Sequence, residues 1–387
     1  MMILIVPSWY KNKGNKHSGS FFYEQAKMLK KCGYDVIIAN ATLQGKNSIK
    51  SNKNLLKMVC YDDNGILTYS FVAPSFGLYR IEPIGKWIFK FCLKRIVKKI
   101  YKSGFKIDLI HAHSVYPAAI VCKEIAKKNN CPLVVTEHNS LVLTKNINKI
   151  RTRYLREVVE YSDAFICVSD ALKKSVTELT KTKKTIYVVP NLVSDLFRYV
   201  EPQRDGYFTY VSIGNLVESK NFILTLNAFA LTKKRISDCI LIVVGDGPLK
   251  TKLYELAKEL GISDSVVFTG AVEREEVASI LQKSNVMVLP SSHETFGVVY
   301  IEALACGRPI IATNNGGVNG IIDAQNGIKI DSFDSKILSD AMCDIYQNYW
   351  NYDFHRISQK AIFRYGSNSV FNMLQPIYSK VKKEEHK

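Results

Sequence analysis

Short apolar runs alternate with helix-like stretches along the chain, and the pattern restarts near residue 208. In the first half, the apolar runs occupy residues 3–6, 36–39, 109–113, 133–136, 164–169 and 186–189. In the second half, they occupy residues 208–214, 239–245, 266–270, 286–290, 309–313 and 327–330. Because such runs between helices are typical of strands buried on both faces, the sequence predicts an α/β protein with two parallel sheets.

The chain has 387 residues, which is more than one hydrophobic core usually supports. A polar stretch at about 200–207 predicts a boundary between residues 1–200 and residues 201–370. We expect two doubly wound, Rossmann-like domains of similar size that face each other across a cleft. In such sheets, ligands bind beyond the carboxyl ends of the strands.

Composition is that of a folded globular protein, with 47% hydrophobic and 23% charged residues. No apolar run reaches the roughly 18 residues of a membrane span, and the N-terminus becomes polar too soon for a signal peptide. We therefore expect a cytoplasmic location. The nine cysteines include no Cys-x-x-Cys pair, which argues against a disulfide framework or a structural zinc site.

The net charge of +18 is carried by one half of the chain. Residues 1–200 hold 33 Lys and Arg against 14 Asp and Glu, or +19, and residues 201–387 hold 20 against 21, or −1. Such a half is expected to attract an anionic partner, whether nucleic acid, lipid headgroups or a phosphorylated substrate. A general compositional bias towards Lys and Asn is the alternative.

Signatures of other α/β enzymes are absent. Gly245-x-Gly247 lacks the third glycine of the dinucleotide fingerprint. The sequence contains no Walker phosphate loop, no Gly-x-Ser-x-Gly elbow and no His-Glu-x-x-His metal motif. Dehydrogenases, P-loop enzymes, serine hydrolases and zinc proteases are therefore disfavoured.

The segment 286–307 combines a buried strand, a polar loop and a helix that begins near Gly297. Free amides at a helix start favour a diphosphate, and glycine lets a ligand approach the backbone. Two carboxylates there would repel phosphate, so Glu294 and Glu302 are expected to accept hydrogen bonds from hydroxyls of a sugar and a ribose. An acidic helix start, which the helix dipole favours in any protein, is the alternative.

Glu294-x-Phe-Gly297 followed by Glu302-Ala-Leu-Ala-Cys-Gly resembles the donor-site signature of the retaining glycosyltransferase family 4, which has the GT-B fold. The resemblance extends in order over nearly the whole chain, through segments at 19–29, 110–114, 135–140, 189–191, 212–221, 242–249 and 267–270. It implies that residues 1–200, joined by a C-terminal helix at about 370–387, bind the acceptor. Residues 201–370 would bind the nucleotide-sugar.

By this resemblance, Glu294 would contact the donor sugar, Glu302 the ribose, and Lys220 the diphosphate, while His113 would stand near the sugar. His138 and Glu137 would lie on the acceptor side. The other implied donor-binding residues are Gly19, Ser20, Gly214, Asn215, Gly245, Gly247, Thr295, Phe296, Gly297 and Val298. Transfer would retain configuration and use neither a metal nor a cofactor, with a UDP- or GDP-linked sugar as substrate. His111 is read as a core residue.

Three positions depart from the family pattern. Asn215 stands where an Arg is usual, so a diphosphate cation is missing unless Arg204, Lys145 or Arg274 supplies it. The Gly-Gly-x-Pro-Glu motif reads Gly-Gly-Val-Asn-Gly at 316–320, without its carboxylate. The glycine pair near the N-terminus is reduced to Ser-Gly-Ser at 18–20.

Residues 85–101 form a predicted helix with an apolar stripe opposite a lysine-rich face. The stripe consists of Phe89, Cys92, Leu93, Ile96, Val97 and Ile100. Trp87 and Phe91 project among the lysines, which favours peripheral docking on the anionic inner face of a cell membrane. An ordinary packed helix whose aromatics meet neighbouring loops is the alternative.

The predicted function is sugar transfer onto a glycan or lipid-linked acceptor in bacterial surface-polysaccharide synthesis, such as capsule, O-antigen or teichuronic-type polymers. A GT-B-like sugar-nucleotide epimerase is the alternative among enzymes. The alternative outside them is a non-catalytic basic protein that binds membranes or nucleic acid. No nucleic-acid module is recognisable, so no nucleic-acid partner is expected.

Overall fold

The computed structural model describes residues 1–11, 19–44, 55–204 and 206–384, with side chains as far as residue 382. Two compact units divide the chain. The first unit comprises Met1–Leu192 together with Val370–Lys387, and the second comprises Val193–Ser369. The division thus lies at residues 192/193, whereas the sequence had placed the boundary at residue 200.

An eight-stranded sheet forms the centre of the first unit, with strand order β3-β4-β2-β1-β5-β6-β7-β8. Its strands are β1 (Met2–Pro7), β2 (Asp35–Gln44), β3 (Met58–Asp63), β4 (Ile66–Pro74), β5 (Leu109–His113), β6 (Leu133–Glu137), β7 (Ala164–Cys167) and β8 (Ile186–Val188). Its helices are α1 (Ser20–Lys31), α2 (Glu82–Lys102), α3 (Ile120–Asn129), α4 (Ser140–Leu143), α5 (Lys149–Tyr161) and α6 (Asp170–Thr180), joined by the C-terminal α13 (Ser367–Glu384).

Strands β3 and β4 were not predicted, and β3 pairs with β4 in antiparallel direction, unlike every other pair in this sheet. The β3 sequence carries two aspartates and is mostly half-exposed, as suits a strand at the edge of a sheet. Its composition therefore gave little sign of a strand. The mixed sheet corrects the expectation of a wholly parallel one.

Helix α2 confirms the predicted apolar stripe. All six residues of that stripe are buried, and the helix extends slightly beyond the predicted range at both ends. Trp87 and Phe91 are exposed, as the helical projection had indicated. The apolar face of α13 contributes Val370, Leu374 and Tyr378 to the core of the first unit.

A six-stranded sheet with every pair parallel forms the second unit. Its strands are β9 (Phe208–Ile213), β10 (Cys239–Val244), β11 (Val266–Gly270), β12 (Val286–Leu289), β13 (Ile310–Thr313) and β14 (Gly327–Ile330). Its helices are α7 (Phe222–Lys233), α8 (Lys250–Glu259), α9 (Arg274–Lys283), α10 (Val298–Ala305), α11 (Ser335–Asn348) and α12 (Phe354–Tyr365).

The strand order β11-β10-β9-β12-β13-β14 reverses direction between β9 and β12. This is the order of a doubly wound sheet, and the crevice beyond the carboxyl ends of the two central strands is its usual ligand site. The fold therefore directs attention to the loops that follow β9 and β12. Among the described residues, no helix is both long and apolar enough to cross a membrane.

Candidate functional site

Lys220 and Glu294 meet at the point where the strand order of the second unit reverses. Lys220 lies in the loop after β9, and Glu294 lies in the loop after β12. Lys220 Nζ donates a hydrogen bond to Glu294 Oε1, so the two side chains form an ion pair. Their side chains are 22% and 12% exposed, which keeps the pair open to a ligand. The structure thus brings together two of the three residues predicted to be catalytic.

Backbone contacts between the two loops fix this pair. The Ser292 amide donates to the Ser219 carbonyl at 2.8 Å, and Asn221 Nδ2 donates to the Pro290 carbonyl at 2.8 Å. Asn221 adopts the left-handed conformation, which asparagine tolerates better than most residues. The two functional side chains are therefore positioned by their loops and not by their mutual attraction alone.

A third loop supports Glu294 from behind. The Glu294 amide donates to the Asn315 carbonyl at 3.1 Å. A Cβ atom at Gly317 would lie 2.7 Å from the Cβ of Glu294, so the glycine allows the loops to pack. Gly320, where the family carries a carboxylate, has open space around its Cα. Gly317 thus has a structural role.

Helix α10 begins beside Glu294 with an uncapped first turn. Gly297 has φ 85°, and a Cβ there would lie 2.3 Å from the Tyr300 ring. The N-cap residue is Gly297, which has no side chain to cap the helix, and residues 297 and 298 are half-buried. Amides at such a helix start can bind an anion. Phe296 is buried against Tyr365, so only its backbone is available to a ligand, whereas Thr295 is half-buried.

The glycines after β9 and β10 hold two further loops together. A Cβ at Gly245 or Gly247 would collide with the backbone of Gly214 or Leu216, respectively. Gly214 also lies against the side chain of Lys220. Asn215 is exposed, and its carbonyl accepts a hydrogen bond from the backbone two residues on. These residues shape the loop that carries Lys220.

Glu302 is buried in the second turn of α10, where Arg274 reaches it. Arg274 Nη2 donates to Glu302 Oε1 at 2.6 Å, and its guanidinium lies 5.0 Å from the centre of the Phe197 ring. Arg274 therefore balances the charge of Glu302. The other two suggested cations have partners too, since Arg204 lies over Trp350 and Lys145 pairs with Glu178 of the first unit.

Gly19, Ser20, His113, Glu137 and His138 belong to the first unit. His113 ends β5, and His138 follows β6, which is the neighbouring strand. The His113 Nδ1 and His138 Nε2 atoms are 3.0 Å apart, so one ring donates to the other. His113 Nε2 and His138 Nδ1 have no hydrogen-bond partner among the described residues. This pair therefore has the capacity to bind a further polar group.

Both rings of this pair are buried beneath the N-terminus of α1. The Phe22 ring lies 4.8 Å from that of His113, between ring centres. Gly19, at the start of α1, has φ 72°, and Ser20 is half-buried. Residue 18, which belongs to the third departure from the family pattern, lies outside the described residues. The Phe22 ring packs directly on the ring of His113.

His111 and Glu137 have structural roles. His111 is hydrogen-bonded at both ring nitrogens, through Nδ1 to Tyr378 Oη at 2.7 Å and through Nε2 to Thr136 Oγ1 at 2.8 Å. This confirms that it is a satisfied core residue. The Glu137 carboxylate accepts three backbone N–H bonds, from residues 115, 138 and 139, which leaves it little capacity for an acceptor. Burial raises the pKa of Glu137, and those hydrogen bonds oppose the rise.

Burial lowers the pKa of His111 and of His138 to about 3, and it lowers the pKa of His113 well below the usual range. The unfolded chain gains protons at these positions as the pH falls through about 6.5, whereas the folded chain does not. Their contribution to stability is therefore present above pH 6.5 and is lost towards pH 3. Glu137, with its raised pKa, acts in the opposite sense.

We expect the free energy of unfolding to fall by about 1.4 kcal/mol per pH unit for each such histidine below pH 6.5. Urea titrations at pH 7.0 and 5.5 would measure this slope for the wild type and for His111→Gln. In the variant, the free energy of unfolding should change less steeply with pH, by the contribution of one histidine, whatever its stability at pH 7.0. Identical slopes would contradict the assignment.

The sequence did not identify every residue that shapes the site. Asn221 acts through a side-chain hydrogen bond, whereas Ser292 and Gly317 act through their backbones; all three lie within the quoted segments, and the only sequence signal of their roles is a small or turn-forming residue. Among the described residues, no group of three or more His, Cys, Asp or Glu side chains is arranged to hold a metal ion.

Comparison with protein families gives two matches that together cover most of the chain. Residues 18–195 match the family described as Glycosyltransferase Family 4, and residues 194–362 match the family described as Glycosyl transferases group 1.

Many curated relatives match parts of the chain, and three of them serve as examples. The first, N-acetyl-alpha-D-glucosaminyl L-malate synthase of Bacillus anthracis, is 31% identical over 56% of this chain and 59% of its own length. An uncharacterized glycosyltransferase of Methanocaldococcus jannaschii is 30% identical over 66% of this chain and 69% of its own. Alpha-monoglucosyldiacylglycerol synthase of Streptococcus pneumoniae is 28% identical over 56% and 54%. The chain thus spans between half and about two thirds of these relatives.

Solved structures resemble the whole chain. Sucrose-phosphate synthase from Thermosynechococcus elongatus gives a TM-score of 0.78 with 17% identity, covering 99% of this chain and 100% of that one. Anabaena HepE, solved with UDP and glucose, gives a TM-score of 0.73 with 16% identity, covering 98% and 99%. At these identities, the likeness shows the fold.

Proposed function

The chain belongs to the family 4 and group 1 glycosyltransferases and has their GT-B fold, and on that basis we propose that it moves a sugar from a nucleotide-sugar to an acceptor hydroxyl with retention of configuration and without a metal ion. The ion pair between Lys220 and Glu294, beside the uncapped start of α10, carries this proposal. It offers a cation, an acceptor of hydrogen bonds and free amides within one crevice.

Donor binding in this proposal exchanges the partners of that ion pair. The diphosphate takes the ammonium of Lys220 and the amides at Gly297 and Val298, and the sugar hydroxyls donate to Glu294. Each charged group exchanges one partner for another, so neither is left unpaired. An unpaired charge would be costly in a half-buried site. Glu302, held by Arg274, accepts from the ribose hydroxyls.

In the transfer step, the bond from the anomeric carbon to the diphosphate oxygen breaks while the acceptor oxygen forms a bond to that carbon on the same face. The proton of the acceptor hydroxyl passes to the departing phosphate oxygen. Lys220 and the helix amides stabilise the charge that develops on the diphosphate. His113, in the first unit, offers its unpartnered Nε2 to a polar group of a ligand.

We place the acceptor in surface-polysaccharide assembly, as a glycan or a lipid-linked sugar. The relative from Streptococcus pneumoniae bears the name of an enzyme that makes a glucosylated diacylglycerol, which supports a lipid-linked acceptor. The HepE structure, which holds UDP and glucose, supports a UDP-sugar donor, and a GDP-sugar is the other candidate. The enzyme would then work in the cytoplasm, peripherally at the membrane, with residues 85–101 towards an anionic surface.

A thermal-shift panel of UDP-, GDP-, ADP- and dTDP-sugars in EDTA tests the donor and the independence from metals. A ligand at a hundred times its Kd adds about 2.7 kcal/mol, so the true donor should raise the melting temperature by several degrees. Product analysis then separates transfer from epimerisation, because an epimerase releases modified sugar from the donor alone. Nuclear magnetic resonance of the product gives the anomeric configuration, and inversion would contradict the proposed chemistry.

A further inference from the structure

Six large apolar side chains are exposed within a short stretch of the first unit. They are Phe76, Leu78, Tyr79, Ile81, Trp87 and Phe91. Phe76 is 65% exposed and Trp87 is 67% exposed. Single exposed apolar residues are ordinary, but so many within one short stretch of the chain mark a candidate interaction site. We refer to these six residues as the apolar edge.

The apolar edge combines the loop before α2 with the first turns of that helix, on which the loop packs. Gly85 lies so close to Tyr79 that an added Cβ would be 2.6 Å from the Tyr79 carbonyl oxygen. One turn along α2, the rings of Trp87 and Phe91 stack with centres 6.4 Å apart. Both point away from the buried stripe of the helix. The loop at 76–81, which the sequence alone did not single out, therefore adds four apolar side chains.

Cations continue the same face of α2 beyond the apolar edge. The Arg95 guanidinium lies 4.5 Å from the centre of the Phe91 ring, and Lys94, Lys98 and Lys99 are exposed around it. Among the described residues, none of these three lysines forms an ion pair with a carboxylate. By contrast, the two lysines nearer the helix start share Glu124. We call Lys94, Arg95, Lys98 and Lys99 the cationic flank.

We propose that the apolar edge and the cationic flank together form a docking surface for an anionic lipid bilayer. The proposal rests on the proposed function, which puts the acceptor at a membrane, and it deepens that function by naming the residues that meet the lipid. The apolar edge enters the boundary between headgroups and acyl chains, where aromatic rings are favoured. The cationic flank pairs with lipid phosphates, and α2 carries a single acidic residue, Glu82, which binds Arg151.

Charge complementarity selects this occupant. A second copy of the chain would bring another set of unpaired lysines against the first, which is unfavourable for a face without balancing carboxylates. An anionic bilayer supplies both the apolar layer and the negative charge that the surface lacks. The excess of Lys and Arg in residues 1–200, which amounts to +19, acts in the same direction.

Co-sedimentation with vesicles of phosphatidylcholine, with and without phosphatidylglycerol, tests the proposal. We expect binding that requires phosphatidylglycerol and weakens with salt. Replacing both Lys94→Gln and Lys98→Gln should reduce vesicle binding about 25-fold, because each cation near an anionic membrane strengthens binding by roughly a factor of five. Trp87→Ser with Phe91→Ser should reduce it at least about tenfold, since both rings lose their apolar burial.

Two matched controls separate this surface from bulk charge and general exposure. Lys127→Gln with Lys128→Gln removes the same charge from exposed positions on α3, and Phe333→Ser with Phe363→Ser removes two exposed rings from the second unit. Both should bind vesicles within about twofold of the wild type.

Fluorescence tests whether Trp87 enters the bilayer. Lipids brominated in the acyl chain should quench the tryptophan fluorescence of the wild type but quench that of Trp87→Phe much less.

Equal binding by the paired variants and their controls would overturn the docking surface, and so would binding that is insensitive to salt and to anionic lipid. Sedimentation velocity could instead show that the wild type is a dimer. If the variant with both Trp87→Ser and Phe91→Ser is then a monomer, the face belongs to an interface with a second copy. All variants should keep the thermal shift with the nucleotide-sugar donor. Failure of docking with that shift intact therefore leaves the proposed function standing, and loss of the shift in the wild type contradicts the function itself.

Discussion

Replacing Glu294 with Gln is expected to reduce sugar transfer about a thousandfold while the protein remains folded at the assay temperature, because the Gln amide oxygen can still accept a hydrogen bond from Lys220. Gln keeps the size of the side chain but loses the charge that receives Lys220 in the free protein and the sugar hydroxyls in the complex. The transition state of glycosyl transfer also carries positive charge on the sugar ring, and removing one charged group that stabilises a developing charge typically costs a factor of about 10² to 10³ in rate. The loop bonds from Asn221 and Ser292 remain, so we expect the site to keep its shape.

Initial rates with a saturating donor would measure this effect. A matched control is Asp340→Asn, which breaks an exposed ion pair with Arg235 in the same unit. Exposed pairs of that kind contribute about 0–1 kcal/mol, so the control should transfer sugar at the wild-type rate. Near-normal turnover by Glu294→Gln would remove this residue from the chemistry.

Replacing Gly245 with Ala is expected to lower the free energy of unfolding by about 3–5 kcal/mol, as for severe overpacking and backbone strain together. Gly245 has φ 139°, and an added Cβ would lie 1.9 Å from the backbone oxygen of Gly214. Neither atom belongs to a flexible side chain, so the loops after β9 and β10 must separate. Lys220 follows Gly214 in that loop, and donor binding should weaken with stability.

Urea titration would measure the loss, with Gly261→Ala as the matched control. Gly261 also has a positive φ, 68°, but has no heavy atom within 4 Å of the added Cβ. The control should therefore cost only the backbone strain, about 1 kcal/mol. Similar losses in the two variants would show that the contact with Gly214 is unimportant.

The fold was predictable because its central strands are mostly apolar. Strands such as β1, β5 and β12 are buried at every residue, and a continuous apolar run of that length between helices is typical of a strand covered on both faces. Strand β3 escaped prediction because an edge strand needs no apolar face. The predicted boundary lies eight residues beyond the observed one because residues 193–200 belong to the second unit. One of their contacts is the hydrogen bond from the Val193 amide to the Tyr365 carbonyl, and such a long-range contact cannot be read from the local sequence.

The proximity of Lys220 and Glu294 was predictable from topology, since both follow strands that meet where the order reverses. Their ion pair was not, because it depends on the registration of two loops. The pairing of Arg274 with Glu302 was also missed, since Arg274 precedes Glu302 by a helix and a strand. Long-range side-chain partners of this kind leave no periodic trace in a sequence.

The most direct test of the account measures the Kd of the donor for Lys220→Ala by titration calorimetry in EDTA. The account predicts at least a tenfold increase in Kd relative to the wild type, because the diphosphate loses its cation. Arg235→Ala, which removes a cation from an exposed pair in the same unit, should bind the donor as the wild type does. Donor binding that is unchanged in Lys220→Ala would contradict the site proposed between β9 and β12.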